Sequence, residues 1–212
     1  MSDTLGIYRK GMRVLRVFYD PDPLNPRTEF DGVATIACWH RRYNLGDDEH
    51  IIELDPSDYD CPGEFIYAIL EEYPEIAILL PIYMMDHGNI SLRTDVGAFK
   101  ASDPMGWDWG WVGVVFVTQK DLDKEFNSEE DAIAIMQAEV DVYSDYLSGD
   151  VFCVEVMDID VPNIGDLGAS ELDALFDEHM ANATTYEVCC GLYGDVTTIL
   201  KDYEFDIDDI VV

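Results

Sequence analysis

The chain has 212 residues, of which 45 are Asp or Glu and only 12 Lys or Arg, giving a formal net charge of −33. Its 48% hydrophobic and 12% aromatic content is enough for a packed core and excludes wholesale disorder. So acidic a surface excludes direct binding to nucleic acid or to anionic lipid, since both need Lys and Arg to displace counterions.

Taken in chain order, "MRVLRVFYD" (12–20) alternates apolar residues with Arg13 and Arg16 and predicts a half-buried strand. "DPDPLNPR" is a Pro-rich turn, and "GVATIACWH" (32–40) a buried strand that ends at His40. "GEFIYAILEEY" (63–73) has helical spacing and stops before Pro74. "IAILLPIYMMD" (76–86) predicts a strand in which Pro81 demands a bulge or an edge. "NISLRT" (89–94) returns from it as a hairpin through His87-Gly88, and "GWVGVVFVTQ" (110–119) is a further strand.

The clearest helix begins near Ser128, with acids in its first turn and Ile133, Met136, Val140, Tyr143 and Leu147 on one face. A strand (151–159), a helix (170–180), a strand (185–194) and a short helix or extended tail complete the chain. The fold class expected is α+β, a single domain over 1–212 with a mostly antiparallel sheet packed by two or three helices. An acidic tail over about 202–212 closes it.

Charge is graded along the sequence. Residues 1–42 hold seven basic and five acidic residues, and residues 121–212 two basic and twenty-five acidic, which makes the C-terminal part the acidic one. The five cysteines form no CxxC pair, are odd in number, and include the adjacent Cys189 and Cys190, which disfavours a bridge there. They are expected as free thiols, in a reducing compartment. "MSDTLGIYRKGMR" lacks the apolar core of a leader, and "IAILLPIYMM" is too short to span a bilayer. The localisation expected is the cytoplasm of a host cell.

No P-loop, dinucleotide fingerprint, HExxH or GxSxG motif is present, so no cofactor and no metal is expected. His40, Asp86 and His87 fall at strand ends, and Asp108, within "GWDWGW", is placed to join them. Brought together, they would suit a divalent metal or general acid–base chemistry; otherwise they are capping and turn residues. "PMGWDWGWVG" (104–113) sets three indoles on a glycine-hinged segment, either as a stacking platform or, with Trp107, as a cap on the sheet core. Arg41 and Arg42, beside Tyr43, are expected to clamp a loop by pairing with Asp47, Asp48 or Glu49.

The acidic surface is the strongest signal. Glu130, Asp131, Asp141 and Asp145 on the long helix, Asp173 and Asp177 on the next, and Asp202, Glu204, Asp206, Asp208 and Asp209 in the tail have few counter-charges. Carboxylates ~5–6 Å apart along a helix imitate a phosphate backbone carrying a charge every ~3.4 Å per strand. Acidity of this degree also suits a salt-rich cytoplasm, and the excess of Asp over Glu fits that alternative.

Four segments, "NPRTEFDGVATIACWHRRYNLGD" (25–47), "ILLPIYMMDHGNISLRT" (78–94), "GWDWGWVGVVFVTQKDL" (106–122) and "EVDVYSDYLSGDVF" (139–152), resemble an uncharacterised family of small proteins encoded by phages and mobile elements. The resemblance implies a viral or mobile-element origin and no particular reaction. The function expected is therefore that of an acidic anti-defence protein, a DNA mimic binding a basic nucleic-acid-binding host protein of the restriction or CRISPR type. The alternatives are a small enzyme using the His/Asp cluster and a halophile-adapted viral accessory protein.

Overall fold

The structure, a computed structural model, describes residues 4–159, 164–178 and 185–211, with Asp177, Glu178 and Thr185 described in backbone only. In chain order the strands are β1 (Thr4–Lys10), β2 (Arg13–Tyr19), β3 (Thr35–Cys38), β4 (Ile76–Asp86), β5 (Ile90–Arg93), β6 (Trp109–Thr118), β7 (Val151–Asp158) and β8 (Thr185–Tyr193). The helices are α1 (Pro26–Glu29), α2 (Pro62–Glu72), α3 (Gly97–Ser102), α4 (Gln119–Glu125), α5 (Glu129–Ser148), α6 (Ala169–Glu178) and α7 (Val196–Asp202). The class is α+β with antiparallel pairing throughout, as expected, but the strands are divided between two four-stranded sheets. The chain forms two compact units, residues 1–24 with 149–212 and residues 25–148. No described helix is long and apolar enough to cross a membrane.

The first unit is built on the order β1-β2-β7-β8. Alternation along β2 sends Leu15 and Val17 to one face, where Phe152, Val154, Ile199, Leu200 and Phe205 cover them, and Val14 to the other, with Met157, Leu172 and Phe176. The C-terminal acids do not form a free tail. Phe205 is buried, and the Val211 N–H donates to the Ile7 carbonyl at 2.8 Å, so the chain end lies along β1. Because the Arg-bearing β1–β2 hairpin belongs to this unit, the charge gradient read along the sequence is not a structural division. The first unit holds nineteen acids against five cations and the second twenty-six against seven.

The free-thiol expectation is corrected here. Cys153 and Cys190 form a disulfide across β7 and β8, with Cα atoms 4.0 Å apart. The pairing shifts register between Phe152 and Val154, and Gly191 takes a φ of +72°. This irregularity brings Cys190 beside Cys153 and leaves its neighbour Cys189 exposed. Adjacency in sequence was no obstacle, because the partner is on another strand.

The second unit has the order β3-β6-β4-β5, with α5 packed on one face and α2 on the other. Pro81 is tolerated in β4 because β5 pairs only with Tyr83–Asp86, which makes β4 locally an edge at Pro81. At Gly113 the strands approach so closely that a Cβ would sit 2.3 Å from the Ala37 carbonyl oxygen. A bulge beside it, between Ile82 and Tyr83 of β4, resets the alternation along β6. Trp111 consequently packs on the α2 side against Trp39 and Phe65.

Candidate functional site

The end of the second sheet gathers the four residues marked by the sequence. Asp86 closes β4, and its N–H donates to the Asp108 carbonyl at 2.8 Å, continuing the β4–β6 pairing Met84–Gly110 and Met85–Trp109. Opposed residues of this kind hold their Cβ atoms ~4.5–5.5 Å apart, which for two carboxylates is repulsive unless cations attend them. Each has one. The Arg42 Nη2 lies 2.8 Å from Asp86 Oδ2, where the Tyr43 hydroxyl also donates at 3.0 Å, and His87 Nδ1 lies 2.8 Å from Asp108 Oδ2.

His40 stacks on the Tyr43 ring at 4.9 Å, and its Nδ1 accepts from the N–H groups of Arg42 and Tyr43 at 3.4 and 3.3 Å. Together His40, Arg42, Asp86, Trp107, Asp108 and Gly110 line an open cleft of about 340 Å³. No atom lies within 4 Å of where a Gly110 Cβ would stand, so the glycine keeps the cleft open.

Two corrections follow. Trp107 does not cap the sheet core; it is 82% exposed at the rim, while Trp109 and Trp111 do the packing. The turn that displays it is held by Asp103, whose carboxylate accepts from the N–H groups of Met105 (3.2 Å), Trp107 (2.5 Å) and Asp108 (3.0 Å). These donors, Asp108 first, hold the Asp103 carboxyl below the usual carboxylate range against a smaller opposing effect of desolvation.

The arginine clamp also has a different composition. Arg42 takes Asp86, Arg41 is exposed, and Asp47 belongs to Arg27. The side chain of Arg27 is only 7% exposed and donates to Asp47 Oδ1 (2.7 Å), Asp47 Oδ2 (2.8 Å), Glu139 Oε2 (2.8 Å) and the Ala34 carbonyl (2.7 Å). Burial opposes its charge, but Asp47 and then Glu139 outweigh that and raise its pKa. Arg16 plays the same part in the first unit, holding Glu155 and Asp173 beneath the Phe176 ring.

As for chemistry, a carboxylate pair flanked by histidine and arginine has the groups for proton transfer. Among the described residues, however, no three donor atoms of His40, Asp86, His87 and Asp108 converge as metal ligands. The one group that meets that spacing, Asp20 with Cys153 and Cys190, has its sulfurs in the disulfide.

The expected mimic residues are dispersed, and several have structural work. Asp173 pairs with Arg16. Asp131 accepts from Asn127 at the start of α5, and Asp206 with Asp209 forms a reciprocal capping box on the turn Ile207–Asp209. The Asp141 carboxyl is raised by partial desolvation, with Arg93 opposing and Asp95 adding to it. Asp145 is half-buried, Asp202, Glu204 and Asp208 are exposed, and the Asp177 side chain lies outside the described residues. Along α5 the exposed stripe reads Glu130, Ala134, Gln137, Asp141, so its two acids are ~16 Å apart at 1.5 Å per residue.

A denser acidic surface lies elsewhere and was missed. Between Tyr43 and Leu92 there is no Lys or Arg, against twelve acids. Eight of these, Glu53, Asp55, Asp58, Asp60, Glu64, Glu71, Glu72 and Glu75, fall on α2 and its flanks, and all eight are exposed. The fifty-residue gap in basic residues was the signal that would have found it. Comparison with known protein families, with curated proteins and with solved structures gives no match for the chain.

Proposed function

We propose that the protein is an acidic decoy that occupies the basic nucleic-acid-binding surface of another protein. The observation that carries this reading is the cation-free run from Tyr43 to Leu92, with eight exposed carboxylates between residues 53 and 75. Carboxylates at this density attract a basic cleft over a Debye length and speed encounter, in the way a duplex does. The resemblance to phage and mobile-element proteins directs the choice of partner to restriction and CRISPR-type effectors. The test is competition between the protein and duplex DNA for such purified effectors at 50 and 200 mM salt. The expected outcome is displacement of DNA that weakens at least tenfold at the higher salt. No displacement at 50 mM salt, or a chain that folds only in molar salt, overturns the reading.

A second reading rests on the convergence of His40, Arg42, Asp86 and Asp108 at one cleft, with His87 bonded to Asp108, which suits acid–base catalysis on a small polar substrate. It requires turnover of some chromogenic ester, glycoside or phosphate by the native chain that Asp108→Asn lowers by 10²-fold or more. Equal background rates for the two proteins across that panel remove it.

A further inference from the structure

The outer face of α2 carries more than charge. Phe65 and Ile69 point into the core, while Tyr67 (63% exposed) and Leu70 (46% exposed) stand one turn apart on the opposite side. Glu64 and Glu71 continue the same stripe, one turn to either side of Tyr67. Single exposed apolar side chains are ordinary. Here an aromatic and an aliphatic side chain are adjacent on a regular helix that carries Glu64, Glu71 and Glu72 and no Lys or Arg.

These carboxylates restrict what can cover this face. A second copy of the chain brings another −33 and is repelled. A neutral surface would bury carboxylates without compensation, which costs free energy. A cationic surface offering an apolar seat satisfies both halves: its Lys and Arg meet Glu64 and Glu71, and Tyr67 and Leu70 fill the seat. Buried aromatic anchors within a polar rim are where interface energy concentrates, and Tyr is among the residues most enriched there. A helix laid against α2, with one ridge in the other's groove, brings an apolar stripe and flanking cations to such a face together.

The geometry points to α2 as the docking helix for a cationic amphipathic helix of the partner, with Tyr67 and Leu70 as its anchors. The inference rests on the acidic-decoy reading and names the contact that makes it selective. Charge alone would hold any basic protein, whereas the anchors distinguish a partner with an apolar stripe from one without.

The test uses two synthetic helical peptides of identical Lys/Leu composition. In one the leucines form a stripe, and in the other they are scattered around the helix. Affinity is measured by fluorescence anisotropy at 50 and 200 mM salt for the full native chain, for Tyr67→Ser with Leu70→Ser, and for Glu130→Gln with Asp141→Asn. The serine variant keeps the charge and alters only exposed positions. The expected result is a preference of the native chain for the striped peptide, at least a tenfold loss of that peptide in the serine variant, and no loss in the α5 variant. A striped peptide that binds the serine variant as well as the native chain, with salt-sensitive binding retained, overturns the anchors and leaves the decoy reading standing. Failure of both peptides to bind at 50 mM salt removes the decoy reading and the inference with it. A loss of equal size in the α5 variant places the contact on α5 and overturns the assignment to α2.

Discussion

Two arginines of the second unit, fifteen residues apart in sequence, meet their carboxylates in opposite environments. Arg27 is buried, makes four hydrogen bonds and holds Asp47 and Glu139 together, while Arg42 is 69% exposed at its side chain and meets Asp86 at the mouth of a cleft. In a chain so poor in cations, the buried one is committed to architecture. Val33 and Ala34 donate to Glu139, Ile36 to Asp47, and Arg27 neutralises both carboxylates that hold this loop. The exposed one is available, since an ion pair in water contributes little and yields readily to a competing ligand. Burial, rather than proximity to acids, therefore separates the framework of this sheet from the end that is free to do chemistry or binding.

Substitution at the two arginines sharpens that contrast most. Arg27→Met keeps the volume and strands two carboxylates in a part-buried site, at an expected cost of about 3–5 kcal/mol in denaturant unfolding. Arg42→Met costs about 0–1 kcal/mol, and that small difference shrinks further in high salt. Equal losses for the two would break the comparison. Two glycines of β6 give the same contrast in packing. Gly113→Ala drives a Cβ into the Ala37 carbonyl oxygen and Cys38, backbone against backbone, for about 1–3 kcal/mol, whereas Gly110→Ala enters open space and stays within about 0.5 kcal/mol of the native chain. Thermal unfolding of the pair measures the difference. A Gly110→Ala change that preserves stability while abolishing ligand binding would locate the ligand directly over that residue.

How much of this was legible depended on the distance over which the causes act. The strand over 76–86 was readable because the apolar run Ile76–Met85, closed by Glu75 and Asp86, is a local signal, and its limits match β4. The positions of His40, Asp86 and His87 at strand ends were equally local, and antiparallel pairing then set His40, Asp86 and Asp108 around one cleft, with His87 bonded to Asp108. Arg27 was not legible. It follows Pro26 in what reads as a turn, and one of its partners, Glu139, is 112 residues away on α5, at a position the helical pattern gives no reason to single out. β1 was overlooked because Arg9 and Lys10 obscure its apolar positions and because its partner β2 is reached through the tight turn at Gly11. The division into two sheets depends on β2 pairing with β7, with Arg16 opposite Glu155, and no periodicity reports a contact of that range. The disulfide was hidden for the same reason, since a register shift decides which of two adjacent cysteines meets Cys153.

The smallest expected effect concerns the loop that displays Trp107, and it bears on whether the exposed end of the sheet is ordered or merely accessible. The Asp103 carboxylate accepts three backbone N–H groups, and its pKa lies below the usual ~3.9 because those donors favour the ionised form. What it contributes is therefore fully present above the usual carboxylate range and is lost as pH falls through the lowered value. In an NMR titration the amide resonances of Trp107 and Asp108 should move together with a midpoint below ~3.9, and in Asp103→Ala they should already sit near their acid-limit positions at neutral pH. Global unfolding should hardly change, because these hydrogen bonds close only a local turn. If the amides of 105–108 are unaffected by Asp103→Ala, the turn is held by Gly106 and by the Trp109 indole on the Asp103 carbonyl instead, and Trp107 owes its exposure to backbone geometry alone.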